Sequence, residues 1–67
     1  MMNELPRSTL GVVIPVGEDV IIIEPSHPRH RQIGQYAGLA DTLVVQKYRV
    51  CIDGDIVLAL QGQFDIA

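Results

Sequence analysis

The residues best suited to chemistry stand together in His27-Pro28-Arg29-His30-Arg31. Two guanidinium groups can fork onto carboxylates or phosphates. Two imidazoles add positive charge as the pH falls below about 6.5. Prolines within and just before the run limit the entropy lost when the loop is held. His27, Arg29, His30 and Arg31 are therefore the expected partner-binding loop, offered to an acidic partner. The two histidines and Cys51 also invite a metal reading. Together they supply three ligands where structural zinc takes four, so neither a metal nor another cofactor is expected. Nucleophilic catalysis would need a thiolate activated by a nearby base. Cys51 instead reads as a small residue within an alternating strand, while Asp53 and Asp55 read as turn residues. No catalytic residue is expected, and the chain is read as a non-enzyme.

The elements that must position this loop are extended. Asp53-Gly54 lies between two β-branched, apolar runs and readily takes the backbone of a two-residue type I′ turn. A hairpin of Tyr48–Ile52 with Asp55–Leu60 follows. Within its first arm Lys47, Arg49 and Cys51 alternate with Tyr48, Val50 and Ile52, giving one solvated and one buried face. Leu10–Pro15 is a short β-prone run ended by its proline. Val20–Glu24 holds three consecutive isoleucines and reads as a strand buried on both faces or covered by a partner. Pro25 and Pro28 make a rigid loop. Beyond it two readings stand. Gln32–Leu39 is a bent strand whose glycines mark a kink or a close backbone approach, or Ile33, Tyr36, Ala37 and Ala40 form the apolar stripe of a helix over 28–40. The strand is favoured, because Gly34 and Gly38 each cost a helix about 1 kcal/mol relative to alanine. Asp41-Thr42 reads as a turn, and Phe64–Ile66 as a last short strand or a single helical turn.

Sixty-seven residues make one domain, with residues 1–8 as a flexible start and 9–67 as the folded unit. A chain this short buries a limited share of its surface, and a single cysteine excludes an internal disulfide. Yet 48% of its residues are apolar and only 19% charged. A protein partner or self-association is therefore expected, with Ile21, Ile23, Val57 and Leu58 as its aliphatic interface. The net charge of −3 disfavours nucleic acid and anionic membranes. No secretory leader is legible, no apolar run approaches the ~20 residues of a membrane helix, and the expected location is the cytoplasm.

GEDVIII (Gly17–Ile23), HPRHRQIGQYAGL (His27–Leu39), YRVCIDGDIVLAL (Tyr48–Leu60) and QFDI (Gln63–Ile66), in this order, resemble an SH3-like small barrel of the KOW type. The resemblance spans Gly17–Ile66, and implies an all-β fold of about five antiparallel strands. The alternative is α+β, with the 28–40 helix on a four-stranded antiparallel sheet. KOW-type domains bind RNA or ribosomal and transcription proteins. The resemblance thus implies a nucleic-acid alternative, with Arg29, Arg31, Lys47 and Arg49 on phosphates. Small barrels of this kind also serve as accessory subunits and as phage proteins. The favoured expectation is a non-catalytic accessory subunit or adaptor. A further alternative is a small phage or mobile-element protein acting on a host complex.

Overall fold

The computed structural model describes residues 5–40 and 44–67, and these contain five strands and no helix. The strands are β1 (Asp19–Ile22), β2 (Ile33–Ala40), β3 (Lys47–Ile52), β4 (Asp55–Leu60) and β5 (Phe64–Ile66). All pairings are antiparallel, in one sheet of order β4-β3-β2-β1-β5. The protein is a small all-β domain. The helix over 28–40 is not formed. The glycines that argued against it have two different structural roles. At Gly34, β2 runs so close to β3 that a Cβ would stand 2.7 Å from Ile52 Cγ1, hard against the Cys51 carbonyl. At Gly38 the backbone takes φ +116°, where β2 carries an extra residue, Ala37, between the pairs Tyr36–Val50 and Gly38–Arg49. That bulge bends the strand.

The Asp53-Gly54 turn forms as expected, with both residues at positive φ (51° and 83°). It sets the hairpin register, so that Cys51 faces Ile56, Val50 faces Val57 and Arg49 faces Leu58. Opposed residues share a face. One face therefore holds Val20, Ile22, Tyr36, Tyr48, Val50, Ile52, Ala59 and Phe64, all buried, with Val57 packed against them. The other holds Asp19, Ile21, Ile33, Gln35, Lys47, Arg49, Cys51, Ile56 and Leu58.

The sheet is rolled. Tyr48 on β3 and Phe64 on β5 are three strand spacings apart, about 14 Å in a flat sheet, yet their ring centroids are 5.7 Å apart. Tyr36 completes the cluster at 6.2 Å from Tyr48 and 6.1 Å from Phe64. These are all the aromatic residues of the chain. Such pairs add about 0.5–1.5 kcal/mol each beyond their buried area. The link Gln61–Gln63 joins β4 to β5 directly although they are opposite edges of the sheet, which also requires curling.

Two sequence expectations change. Leu10–Pro15 is not a strand but one limb of a tight turn. Arg7 bridges Val13, Ser8 N donates to Val12 O at 2.7 Å and Ile14 N to Pro6 O at 2.9 Å. Pro15 ends it, and the expected domain boundary between residues 8 and 9 falls inside it. Ile14 and Pro6 are buried, so the limb plugs the core without joining the sheet. Nor is the isoleucine strand buried on both faces. Val20 and Ile22 are buried, while Ile21 is half-buried on the outer face. The proposed turn at Asp41-Thr42 and the start of residues 1–8 lie outside the described residues.

Each edge of the sheet has part of its outward backbone met within the chain. Residues 56, 58 and 60 of β4 point their backbone groups away from β3. Leu60 N donates to Gln63 Oε1 (2.8 Å), Leu60 O accepts from Gln63 N (3.0 Å), and Leu58 O is 2.8 Å from His27 Nε2. At β5 the outward N–H of Ile66 donates to the Asp65 carboxylate at 2.8 Å. The same carboxylate accepts from the Thr9 hydroxyl (2.7 Å) and Thr9 N (3.2 Å), fastening the N-terminal limb. Among the described residues, no helix is long and apolar enough to cross a membrane.

Candidate functional site

The 24–32 loop is wound by successive tight turns. His27 N donates to Glu24 O (3.0 Å), His30 N to His27 O (3.1 Å) and Gln32 N to Arg29 O (3.0 Å). Glu24 opens it by accepting from Ser26 N and Oγ, bonds that hold the Glu24 carboxyl below its ordinary pKa, with smaller help from His30 and His27. Arg31 closes it at φ 71°, donating its N–H to Ile22 O at 2.8 Å.

The loop uses much of its own chemistry. His27 Nδ1 accepts from Arg29 N at 3.0 Å, which leaves Nε2 as the donor to Leu58 O. Arg29 forks onto Asp55 Oδ2 (2.6 Å) and Gln32 Oε1 (3.0 Å). Of the two expected guanidinium contacts, Arg29 is thus engaged within the chain. Arg31 is exposed, with no side-chain partner among the described residues. His30 is half-buried. Among the described residues no three His, Cys, Asp or Glu side chains cluster closely enough to hold a metal ion.

The expected aliphatic set does not form one patch. Val57 faces the core opposite Val50. Leu58 and Ile21 share the outer face but stand on β4 and β1, with β3 and β2 between them. Ile23 lies just past β1, half-buried, its N–H donating to Gln63 O at 2.8 Å. The outer face instead gains two residues that the sequence reading missed, Ile33 at 59% exposure and Ile56 at 60%, alongside Leu58 at 47%. The turn could have identified Ile56, because counting outward from Asp53-Gly54 places it beside Cys51 and two positions from Leu58. Ile33 opposes Ile21, and no local signal gives that register.

Charge on the outer face is divided. Lys47 and Arg49 stand two apart on β3, on one face. Asp19 and Asp65 lie on β1 and β5. Apolar side chains occupy the field between and beyond them. An open groove of about 230 Å³, lined by Lys47, Leu58, Ala59, Leu60 and Gln63, runs along β4. It is smaller than the ~300–1,000 Å³ of ordinary small-molecule sites. Compared with protein-family models, curated proteins and solved structures, the chain matches none.

Proposed function

We propose that this chain is a non-catalytic protein-interaction module, a small accessory subunit or adaptor that buries the outer face of its sheet against protein. The observation that carries this is the exposure of Ile33, Ile56 and Leu58 on one face of an ordered sheet. Scattered exposed aliphatics are ordinary, but a set on one face of a single sheet costs solvation unless covered. Arg31, projecting from the HPRHR loop, adds a cation for an acidic partner. The rolled five-stranded sheet is compatible with an SH3-like small barrel, and the resemblance to KOW-type domains is part of the same reading. The cytoplasm is its proposed location.

A second reading, a KOW-like nucleic-acid binder, draws on Arg31, Lys47 and Arg49, with Arg29 already paired to Asp55. Capture from a cell extract on immobilised protein separates the two, run beside Ile56→Lys, with circular dichroism confirming that both fold alike. A defined protein retained by the parent chain and lost by the variant supports the interaction module. Retention of the same protein by Ile56→Lys refutes docking through this face. Nucleic-acid affinity that falls steeply with salt and is lost in Arg49→Ala transfers the function to the second reading.

A further inference from the structure

Resting on the interaction reading, we infer that the occupant of the outer face is an amphipathic helix of a partner protein, acidic along one edge, laid lengthwise on the β3–β4 hairpin. The register of the hairpin is the reason. It stands Lys47 beside Leu60, Arg49 beside Leu58 and Cys51 beside Ile56. A basic row on β3 therefore runs next to an aliphatic row on β4, on one face. Arg49, Ile56 and Leu58 are exposed, and Lys47 and Leu60 half-buried. Among the described residues neither Lys47 nor Arg49 meets a carboxylate. The one acid of these two strands, Asp55, is held by Arg29. Two cations in line, without counter-charge and flanked by aliphatics, complement a ligand with a row of acids beside a row of apolar side chains.

Curvature selects the shape of that ligand. Rolling brings β3 and β5 together on the buried face, so the outer face is convex across the strands. A flat partner touches a convex surface along a narrow band, whereas a rod lying along the strands keeps contact over their length. Six residues of strand span about 20 Å, the length of about 13 residues of helix. A helix about 10 Å wide covers two strands about 4.8 Å apart. Lys47 and Arg49 are separated by about 6.8 Å along β3, and carboxylates at i and i+4 of a helix by about 6 Å, so each cation faces one acid. The groove of about 230 Å³ beside Lys47, Leu58 and Leu60 receives one aliphatic side chain of the helix. Phosphates would also meet the two cations, but single-stranded nucleic acid is held by stacking its bases on exposed aromatic rings. Tyr36, Tyr48 and Phe64, all the aromatic residues of this chain, are buried.

The experiment is selection of displayed random linear peptides on the full chain, with affinities then measured on a synthetic copy of the dominant peptide. Enriched sequences are expected to carry Asp or Glu at i and i+4 beside aliphatics at helical spacing, to become helical on binding, and to shift amide resonances of β3 and β4. Lys47→Glu/Arg49→Glu should weaken binding by about tenfold or more. The same variant should bind the peptide whose acids are replaced by lysine, which the parent chain should refuse. That exchange cannot come from a misfolded chain, so it supports the charge pairing directly. Ile56→Lys should abolish binding. Ile33→Lys, on β2 and beyond the width of one helix, should leave it unchanged. No enrichment, enriched peptides that bind extended or lack the acidic pair, resonance shifts on another surface, or failure of the charge exchange each overturns the acidic helix as occupant. A single-stranded RNA oligonucleotide bound more tightly than the selected peptide, and released by salt, also overturns it and gives the basic row to phosphates. The interaction reading is judged separately, by the Ile56→Lys capture comparison, which does not depend on the partner's shape.

Discussion

Gly34→Ala should be the most damaging small substitution in this domain, and Gly38→Ala should be far milder. The new Cβ at position 34 would lie 2.7 Å from Ile52 Cγ1, 2.9 Å from the Cys51 carbonyl carbon, and closer still to the carbonyl oxygen. Two of these three atoms are backbone, so no rotamer change clears them. Regaining ordinary separation needs β3 to move from β2 by on the order of 1 Å. Val50 and Ile52 move with β3, and both are buried in the core. A gap of half to one Å forfeits roughly a quarter to a half of each dispersion contact across it. Over two well-packed aliphatics that is about 2 kcal/mol, and strained ladder bonds at Gln35–Cys51 bring the cost to about 3 kcal/mol. A 67-residue chain holds about 3–10 kcal/mol in all. Gly34→Ala is therefore expected to remove about a third or more of the stability of the protein at 25 °C. At Gly38 nothing lies within 4 Å of the added carbon, and only the φ of +116° opposes it, which costs about 1–2 kcal/mol. Urea unfolding followed by circular dichroism measures both. Trimming Ile52 to valine in the Gly34→Ala background should recover little, because the nearest atom is the Cys51 oxygen. If Gly34→Ala proves as mild as Gly38→Ala, or if Ile52→Val rescues it fully, the close backbone approach is not what fixes glycine at position 34.

Three further outcomes follow from the contacts. Arg29→Ala should cost about 1 kcal/mol or less and lose its effect in high salt, since the Arg29–Asp55 pair is 29% and 64% exposed; a larger, salt-independent loss in urea titrations would contradict a surface pair. Asp65 is held below the ordinary carboxylate range, first by the Thr9 hydroxyl and then by the N–H groups of Ile66 and Thr9. The stabilisation is present above the unfolded carboxylate value and disappears as the pH falls through the folded one, so Thr9→Val should raise the Asp65 pKa in an NMR titration and reduce the acid sensitivity of the melting temperature. Burial, with a smaller contribution from Tyr48, raises the Tyr36 phenol above its usual 10. That stability is complete below pH 10 and is lost as the pH rises through the folded value, so Tyr36→Phe should flatten the alkaline limb of the melting curve, whatever it does at neutral pH.

Local chemistry made the hairpin legible. Asp53-Gly54 specifies its own backbone, and the alternation from Lys47 to Ile52 specifies which face is buried, so β3 and β4 fall where the sequence places them. The glycines of β2 were legible in kind but not in assignment. A kink and a close approach are both consistent with glycine, and only the neighbouring strand shows that Gly34 is the approach and Gly38 the kink. Ile21-Ile22-Ile23 left two readings open, buried on both faces or covered by a partner, because composition does not report faces. A strand rich in isoleucine on both sides can lie in a sheet with one side uncovered. The HPRHR loop was placed between the correct strands, but the contact that Arg29 makes was not legible. Arg29 meets Asp55 across 26 positions of sequence, and no local pattern announces a contact of that span. The N-terminal limb was misread for a similar reason, since Ile14 is buried by residues far along the chain.

Partly occupied sheet edges have a consequence for strand addition. A chain rich in isoleucine and valine strands is prone to unlimited growth by strand addition, one molecule lengthening the ladder of the last. Here His27 and Gln63 occupy the outward groups of the C-terminal half of β4, and Asp65 occupies the outward N–H at Ile66. Elongation in the plane of the sheet is thereby opposed from both sides by side chains that the fold itself supplies. What is left uncovered is the outer side of the sheet. Replacing His27 or Gln63 would remove part of the barrier to strand addition along β4.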